Sequence, residues 1–259
     1  MTDKILDWSL DGKVAVVSGA AKGGVGEAYA LVLAELGAAV VCVDVRIDAA
    51  ETVAAHIRDN GGSALALTID IADEESVTAG VAKIVEQFGG IDILVNNAAL
   101  MAQIVTTPTL EASRQQWDTA FAVNVAGAWQ MTKAVAPLME ARGGGRIVNI
   151  TSAGAFPAES LYGITKLAVV GLTTATAREL GKRGITVNAI APGIVASEAG
   201  KSLTAEGTEY RDMLEMRAAT RAVGQPTELG GVLALLTSPA GAWISGQVIH
   251  ADGGFIMRP

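Results

Sequence analysis

Seven short apolar runs recur along the chain, at residues 13–18, 38–44, 64–70, 91–96, 145–150, 185–190 and 246–251. Each is mostly Val, Ile, Leu and Ala, without polar alternation. Such runs suit strands covered on both faces, as in a parallel sheet, because neither face is left to water. Between them lie longer stretches with helical spacing of apolar residues, at 27–37, 51–61, 75–89 and 117–140. The first three close on Gly37, Gly61 and Gly89, a common helix stop. The alternation persists to the end of the chain. It predicts one doubly wound α/β domain over residues 1–259, a seven-stranded parallel sheet with helices on both faces.

The stretch at about 197–225 breaks this rhythm between the sixth and seventh runs. It is polar and helical, with Met213 and Met216. Insertions after a strand's C-terminal end lie over the ligand crevice of such folds, so this one reads as a substrate lid. An ordinary surface helical pair is the plainer alternative.

Composition narrows the partners. The formal charge of −8 argues against nucleic acid and anionic membranes. The single cysteine, Cys42, sits inside an apolar run and reads as a small buried hydrophobe. His56 and His250 lie far apart without Cys or His neighbours, so no metal site is expected. The first residues carry acids rather than a signal-peptide core, and no apolar run reaches the ~20 residues that span a bilayer. A soluble, cytoplasmic protein is expected.

Two groups of residues carry candidate chemistry. The first run leads into Ser18-Gly19-Ala20-Ala21-Lys22-Gly23-Gly24-Val25-Gly26 and then a helix. Glycines there permit a tight turn and close approach to a pyrophosphate, and the helix N-terminus offers amides to the anion. Asp44 ends the second run, some 20 residues on, where an acid binds the adenosine ribose hydroxyls. A carboxylate repels the 2′-phosphate of NADP, so NAD is the expected cofactor, although Lys22 and Arg46 stand close enough to offset this. Asp70, with Ile71 after it, ends the third run and is placed for the adenine end; capping the next helix is its rival role. The second group is Tyr162 and Lys166, four residues apart and so on one helix face. An ammonium beside a phenol favours the phenolate, predicting a lowered Tyr162 pKa and a general acid/base. A surface Tyr and a solvated Lys would share that spacing. Ser152 stands just past the fifth run, with Thr151 as the rival hydroxyl.

Together these segments resemble the short-chain dehydrogenase/reductase family over essentially the whole chain. The matching pieces are SGAAKGGVG, NNAA at 96–99, Asn124 in AVNVAG, Ser152, YGITK at 162–166, PGIVAS at 192–197 and SGQVIHADGG. The resemblance implies a Rossmann-like fold and hydride transfer between a nicotinamide and an alcohol or carbonyl carbon. It further implies Tyr162 as acid/base, Ser152 on the substrate oxygen, and Lys166 on the nicotinamide ribose. Asn124 would anchor a water that links the lysine to solvent. Asn97 would line the cofactor cleft. Val195 would hold the carboxamide through its backbone, with Ser197 in the usual threonine position. Gly19, Gly24, Val25 and Gly26 would form the phosphate loop, which is one residue longer than the family's. Ala99 replaces the last glycine of NNAG, and Ser152 precedes Tyr162 by ten residues rather than twelve or thirteen.

The expected substrate is a hydrophobic secondary alcohol or ketone. Met101, Ala153, Phe156, Pro157, Ile194, Met213 and Met216 are taken as its pocket, with no Arg or Lys evident for an acidic group. Alternatives are a 3-oxoacyl carrier-protein reductase using NADPH, a silent NAD-binding module and, more remotely, a methyltransferase. The helix at 160–181 is small or apolar around much of its circumference. With the family likeness, this predicts a homotetramer.

Overall fold

The computed structural model describes residues 6–102, 104–200, 209–221 and 223–257. All seven apolar runs are strands of one sheet: β1 (Val14–Ser18), β2 (Ala39–Asp44), β3 (Ala64–Thr68), β4 (Ile93–Asn96), β5 (Gly145–Ile150), β6 (Ile185–Pro192) and, last, β9 (Val248–Ala251). Their spatial order is β3-β2-β1-β4-β5-β6-β9, and every pairing is parallel. The sheet reverses direction of travel between β1 and β4, which opens a crevice at the C-terminal strand ends.

Alternate residues of each strand feed two cores. Ala15 and Val17 of β1 face α1 (Val25–Glu35), α2 (Ile47–Asp59) and α8 (Gly230–Thr237), through Tyr29, Leu33, Val53, Ile57 and Leu233. Val14 and Val16 face α3 (Glu74–Phe88), α5 (Ala128–Ala141) and α6 (Leu161–Leu180), through Val77, Ile84, Met131, Val135 and Leu180. Burial on both sides is why polar alternation is absent from these strands.

The stretch 117–140, read as one helix, is divided. α4 (Arg114–Phe121) and α5 flank a π-helical turn, Ala122–Gly127, that contains Asn124. π-turns inside helices accompany functional sites, because the wider turn re-aims side chains. The rival role of Asp70, capping the next helix, is excluded. β3 stops at Thr68, and the cap of α3 is Asp73, whose carboxylate accepts from the Glu75 and Ser76 amides. Asp70 instead closes a local turn, accepting from the Ala72 amide at 2.9 Å.

Two short strands, β7 (Ile194–Val195) and β8 (Val223–Gly224), pair beyond the main sheet and bracket the stretch read as a lid. Its described part contains α7 (Glu209–Arg217); residues 201–208 and 222 lie outside the described residues. Among the described residues no helix is long and apolar enough to cross a membrane.

Candidate active site

A cavity of about 1280 Å³ runs along the C-terminal strand ends. Its wall includes Asp44 and Arg46, then Gly19, Lys22, Gly24 and Val25, and then Ser152, Tyr162, Lys166 and Val195. Asp70, Ile71, Asn97 and Ser197 also line it.

The glycine-rich loop is shaped for close approach. Gly19 holds φ at +67°, and a Cβ there would lie 2.8 Å from the Ala98 Cα. Gly23, at φ +81°, absorbs the additional residue: its amide donates to the Glu27 carboxylate at 2.7 Å, and its carbonyl accepts from the Glu198 amide at 2.9 Å. Gly24 is the N-cap residue of α1, and no side chain caps that terminus. An uncapped N-terminus beside a cavity suits a phosphate anion, so this cradle fits a dinucleotide. Gly26 is not in the cavity wall; it packs α1 against the glycine loop, since a Cβ there would stand 2.2 Å from the Gly19 carbonyl oxygen. Asn97 binds the loop from below, donating to the Ser18 and Gly19 carbonyls at 3.0 and 3.1 Å.

Tyr162 and Ser152 meet because α6 starts against the turn after β5. Ser160 caps α6 by accepting from the Gly163 amide at 3.2 Å. Gly163 lets that first turn close in, since a Cβ would lie 2.7 Å from the Gly154 carbonyl. Tyr162 is thereby brought into the same cavity wall as Ser152. The shortened spacing is no obstacle. The rival hydroxyl is committed elsewhere, because buried Thr151 donates to the Lys166 carbonyl at 2.7 Å.

The pKa expectation is reversed. Burial pushes the Tyr162 phenol up to about 12, and the nearby Ser152 hydroxyl only partly counters it. Lys166 is buried, its Nζ donating to the Ile150 carbonyl at 2.7 Å and lying 5.7 Å from the centre of the Tyr162 ring. Burial pulls its pKa down to about 8. Removal from water is the leading cause of both shifts.

Asn124 is not in the cavity wall. Its amide accepts from the Leu100 amide at 2.7 Å and donates to the Leu100 carbonyl and Thr165 Oγ1, each at 3.0 Å. Its side chain therefore ties the loop after β4 to α6 rather than facing the cavity wall. Val195 also has its carbonyl engaged, accepting from the Ser197 amide at 2.8 Å. Sequence reading missed a buried polar chain. Asn96 donates to Asn149 Oδ1 at 2.8 Å, and Asn149 donates to Thr173 Oγ1 at 2.9 Å, pinning β4, β5 and α6 together. The paired asparagines of NNAA were its visible signal.

At the substrate end, Met101, Ala153, Pro157 and Ile194 line the cavity as expected, joined by Leu100, Val105 and Phe255. Phe156 does not; its ring packs on His250 at 4.6 Å. Met216 is 82% exposed and outside the wall, while the Met213 side chain lies outside the described residues. A cation is present after all: Arg217 of α7 borders the cavity.

Residues 19–256 match the sequence profile of the family described as Enoyl-(Acyl carrier protein) reductase. This chain belongs to the short-chain dehydrogenase/reductase family. This dehydrogenase/reductase is 41% identical to an uncharacterized oxidoreductase of Mycobacterium tuberculosis over 96% of its own length and 99% of the relative's. Its fold matches a gluconate 5-dehydrogenase from Burkholderia cenocepacia in complex with NADP and tartrate, with a TM-score of 0.89, 34% identity and 96% and 97% of the two chains covered. It matches equally a 7α-hydroxysteroid dehydrogenase complexed with NADH and 7-oxo glycochenodeoxycholic acid, with a TM-score of 0.89, 33% identity and 97% of each chain covered. The short-chain dehydrogenase/reductase described here is accordingly an NAD(P)-dependent oxidoreductase acting on CH–OH or C=O groups, rather than a silent binding module.

Proposed function

We propose that this enzyme interconverts a hydrophobic secondary alcohol and its ketone, with Tyr162 as the acid/base and NAD as the cofactor. The convergence of Ser152, Tyr162 and Lys166 in one wall, continuous with the glycine cradle, carries this reading. The nicotinamide, when bound, supplies or accepts the hydride. In reduction, the Tyr162 phenol, kept protonated by burial, gives its proton to the carbonyl oxygen. Ser152 donates a hydrogen bond to the same oxygen, and charged Lys166 lowers the cost of the phenolate left behind. Asn124 positions Leu100 and α6 around them. The test is NADH consumption across apolar ketones, offered with and without a carboxylate tail; silence towards every ketone by protein that binds NADH defeats the proposal. Arg217 favours one variation, an apolar body with an acidic tail directed at α7. The tailed members of the panel are then preferred.

Titration of Lys166 sets the pH dependence. It is charged below about 8 and neutral above, while Tyr162 stays protonated to about 12. The kcat/KM for ketone reduction is therefore expected to fall as pH rises through about 8. A decline centred near 12 would assign the dependence to the phenol instead.

Cofactor choice rests on Asp44, which is nearly buried and accepts from the Arg46 amide at 2.9 Å and Nε at 3.4 Å. Its carboxylate repels a 2′-phosphate by about 1–4 kcal/mol at contact range. Asp44→Ser should raise the NADPH-to-NADH ratio of kcat/KM by roughly 10- to 100-fold. An unchanged ratio removes Asp44 from cofactor selection.

Assembly as a homotetramer is supported by α6. Leu167, Gly171 and Ala175 follow one another at helical spacing on its solvent side, and nothing lies within 4 Å of a Cβ placed at Gly171. Light scattering at micromolar concentration should give four chains, and a monomer contradicts it.

A further inference from the structure

A second cleft, of about 530 Å³, opens at the opposite, N-terminal edge of the sheet and shares no lining residue with the active-site cavity. Arg146 and Ser152 are six positions apart across β5, which separates the two by roughly 20 Å. Among the described residues, Lys13, Arg142 and Arg146 line the cleft with one carboxylate, Asp92. The local balance is three cations against one anion, a charge of +2 in a chain whose total is −8.

Asp92 is already shared. It takes both nitrogens of an Arg142 fork at 3.0 and 3.1 Å, the Val14 amide at 2.9 Å, and Lys13 at 3.7 Å. Arg146 has no such partner. Among the described residues its side chain makes one hydrogen bond, to the Gly145 carbonyl at 3.1 Å, and its Nε is buried without an acceptor. Thr186 pairs with Arg146 across β5 and β6, and its hydroxyl is likewise buried without a partner. Buried donors left unpaired cost stability unless a ligand supplies the acceptors. Burial also works against the Arg146 charge, a cost that an adjacent anion would relieve.

We propose that this cleft binds a small phosphate-type dianion, either free phosphate or the phosphoryl group of a metabolite, held by Lys13, Arg142 and Arg146. Thr186 completes the donor set once the Arg146 side chain turns to its ligand. Fully exposed Trp243 forms part of the rim and offers an apolar surface to the remainder of a phosphorylated metabolite.

The test is calorimetric titration of the full-length enzyme, saturated with NADH so that the dinucleotide cradle is filled. Inorganic phosphate and glycerol 3-phosphate are the two probes. One saturable site per chain is expected, with Kd at or below about 1 mM. Arg146→Gln should weaken it at least tenfold. Lys13→Gln, at a half-exposed position that leaves the Arg142–Asp92 pair intact, should do the same and keeps the test valid if the Arg146 variant does not fold. Equal affinity for both probes assigns the site to the ion; tighter glycerol 3-phosphate binding assigns it to a metabolite. Absence of binding to the NADH-saturated enzyme, or binding that Lys13→Gln leaves unchanged, overturns the proposal.

Discussion

Tyr162→Phe is expected to lower kcat for ketone reduction by about 10³-fold, the usual worth of a positioned general acid. The ring fills the same space, so packing beside Lys166 and Ser152 is retained. The lost atom is the one that holds the proton. The Kd for NADH should stay within about threefold, because the glycine cradle and Asp44 lie elsewhere along the cavity. Single-turnover measurements with saturating NADH separate the two effects. A variant that keeps most of its turnover would transfer the proton role to another group. One that loses NADH binding in parallel would make the hydroxyl a cofactor contact.

Gly26→Ala should be the most damaging change outside the acid/base group. The added Cβ would stand 2.2 Å from the Gly19 carbonyl oxygen and 2.7 Å from Asn97 Nδ2. Neither neighbour can retreat easily, for one is backbone and the other donates to two carbonyls. Overpacking of this kind costs about 1–3 kcal/mol or more, so Tm should fall by roughly 2–12 °C in a chain of this size. Relief of the clash pushes α1 away from β1 and opens the phosphate cradle, so NADH affinity should fall at least tenfold. Gly231→Ala is the control. Nothing lies within 4 Å of its Cβ on α8, and it should leave Tm unchanged or slightly raised. Equal behaviour of the two variants would show that the close approach at Gly26 is unimportant.

The seven strands and the Tyr162–Lys166 pair were legible in the sequence for a local reason. Strands buried on both faces must be continuously apolar, and residues four apart share a helix face whatever surrounds them. The glycine loop and Asp44 were legible because a strand, a turn and a helix start are adjacent along the chain. What required tertiary structure was everything set by distant neighbours. The π-turn at Asn124 is accompanied by bonds to Leu100 and Thr165, 24 and 41 residues away. The direction of the Tyr162 shift depends on how much of the whole fold excludes water from the phenol, which no spacing encodes. The choice of Ser152 over Thr151 turned on which hydroxyl the backbone of α6 consumes. Arg217 and the Lys13–Arg142–Arg146 cluster are scattered in the sequence, and only strand order and helix packing bring each beside its cavity. Local periodicity thus determined the elements and the placing of Tyr162 and Lys166 on one helix face. Long-range packing decided burial, charge and which polar groups remain for a ligand, because those quantities are sums over neighbours that the chain brings together only on folding.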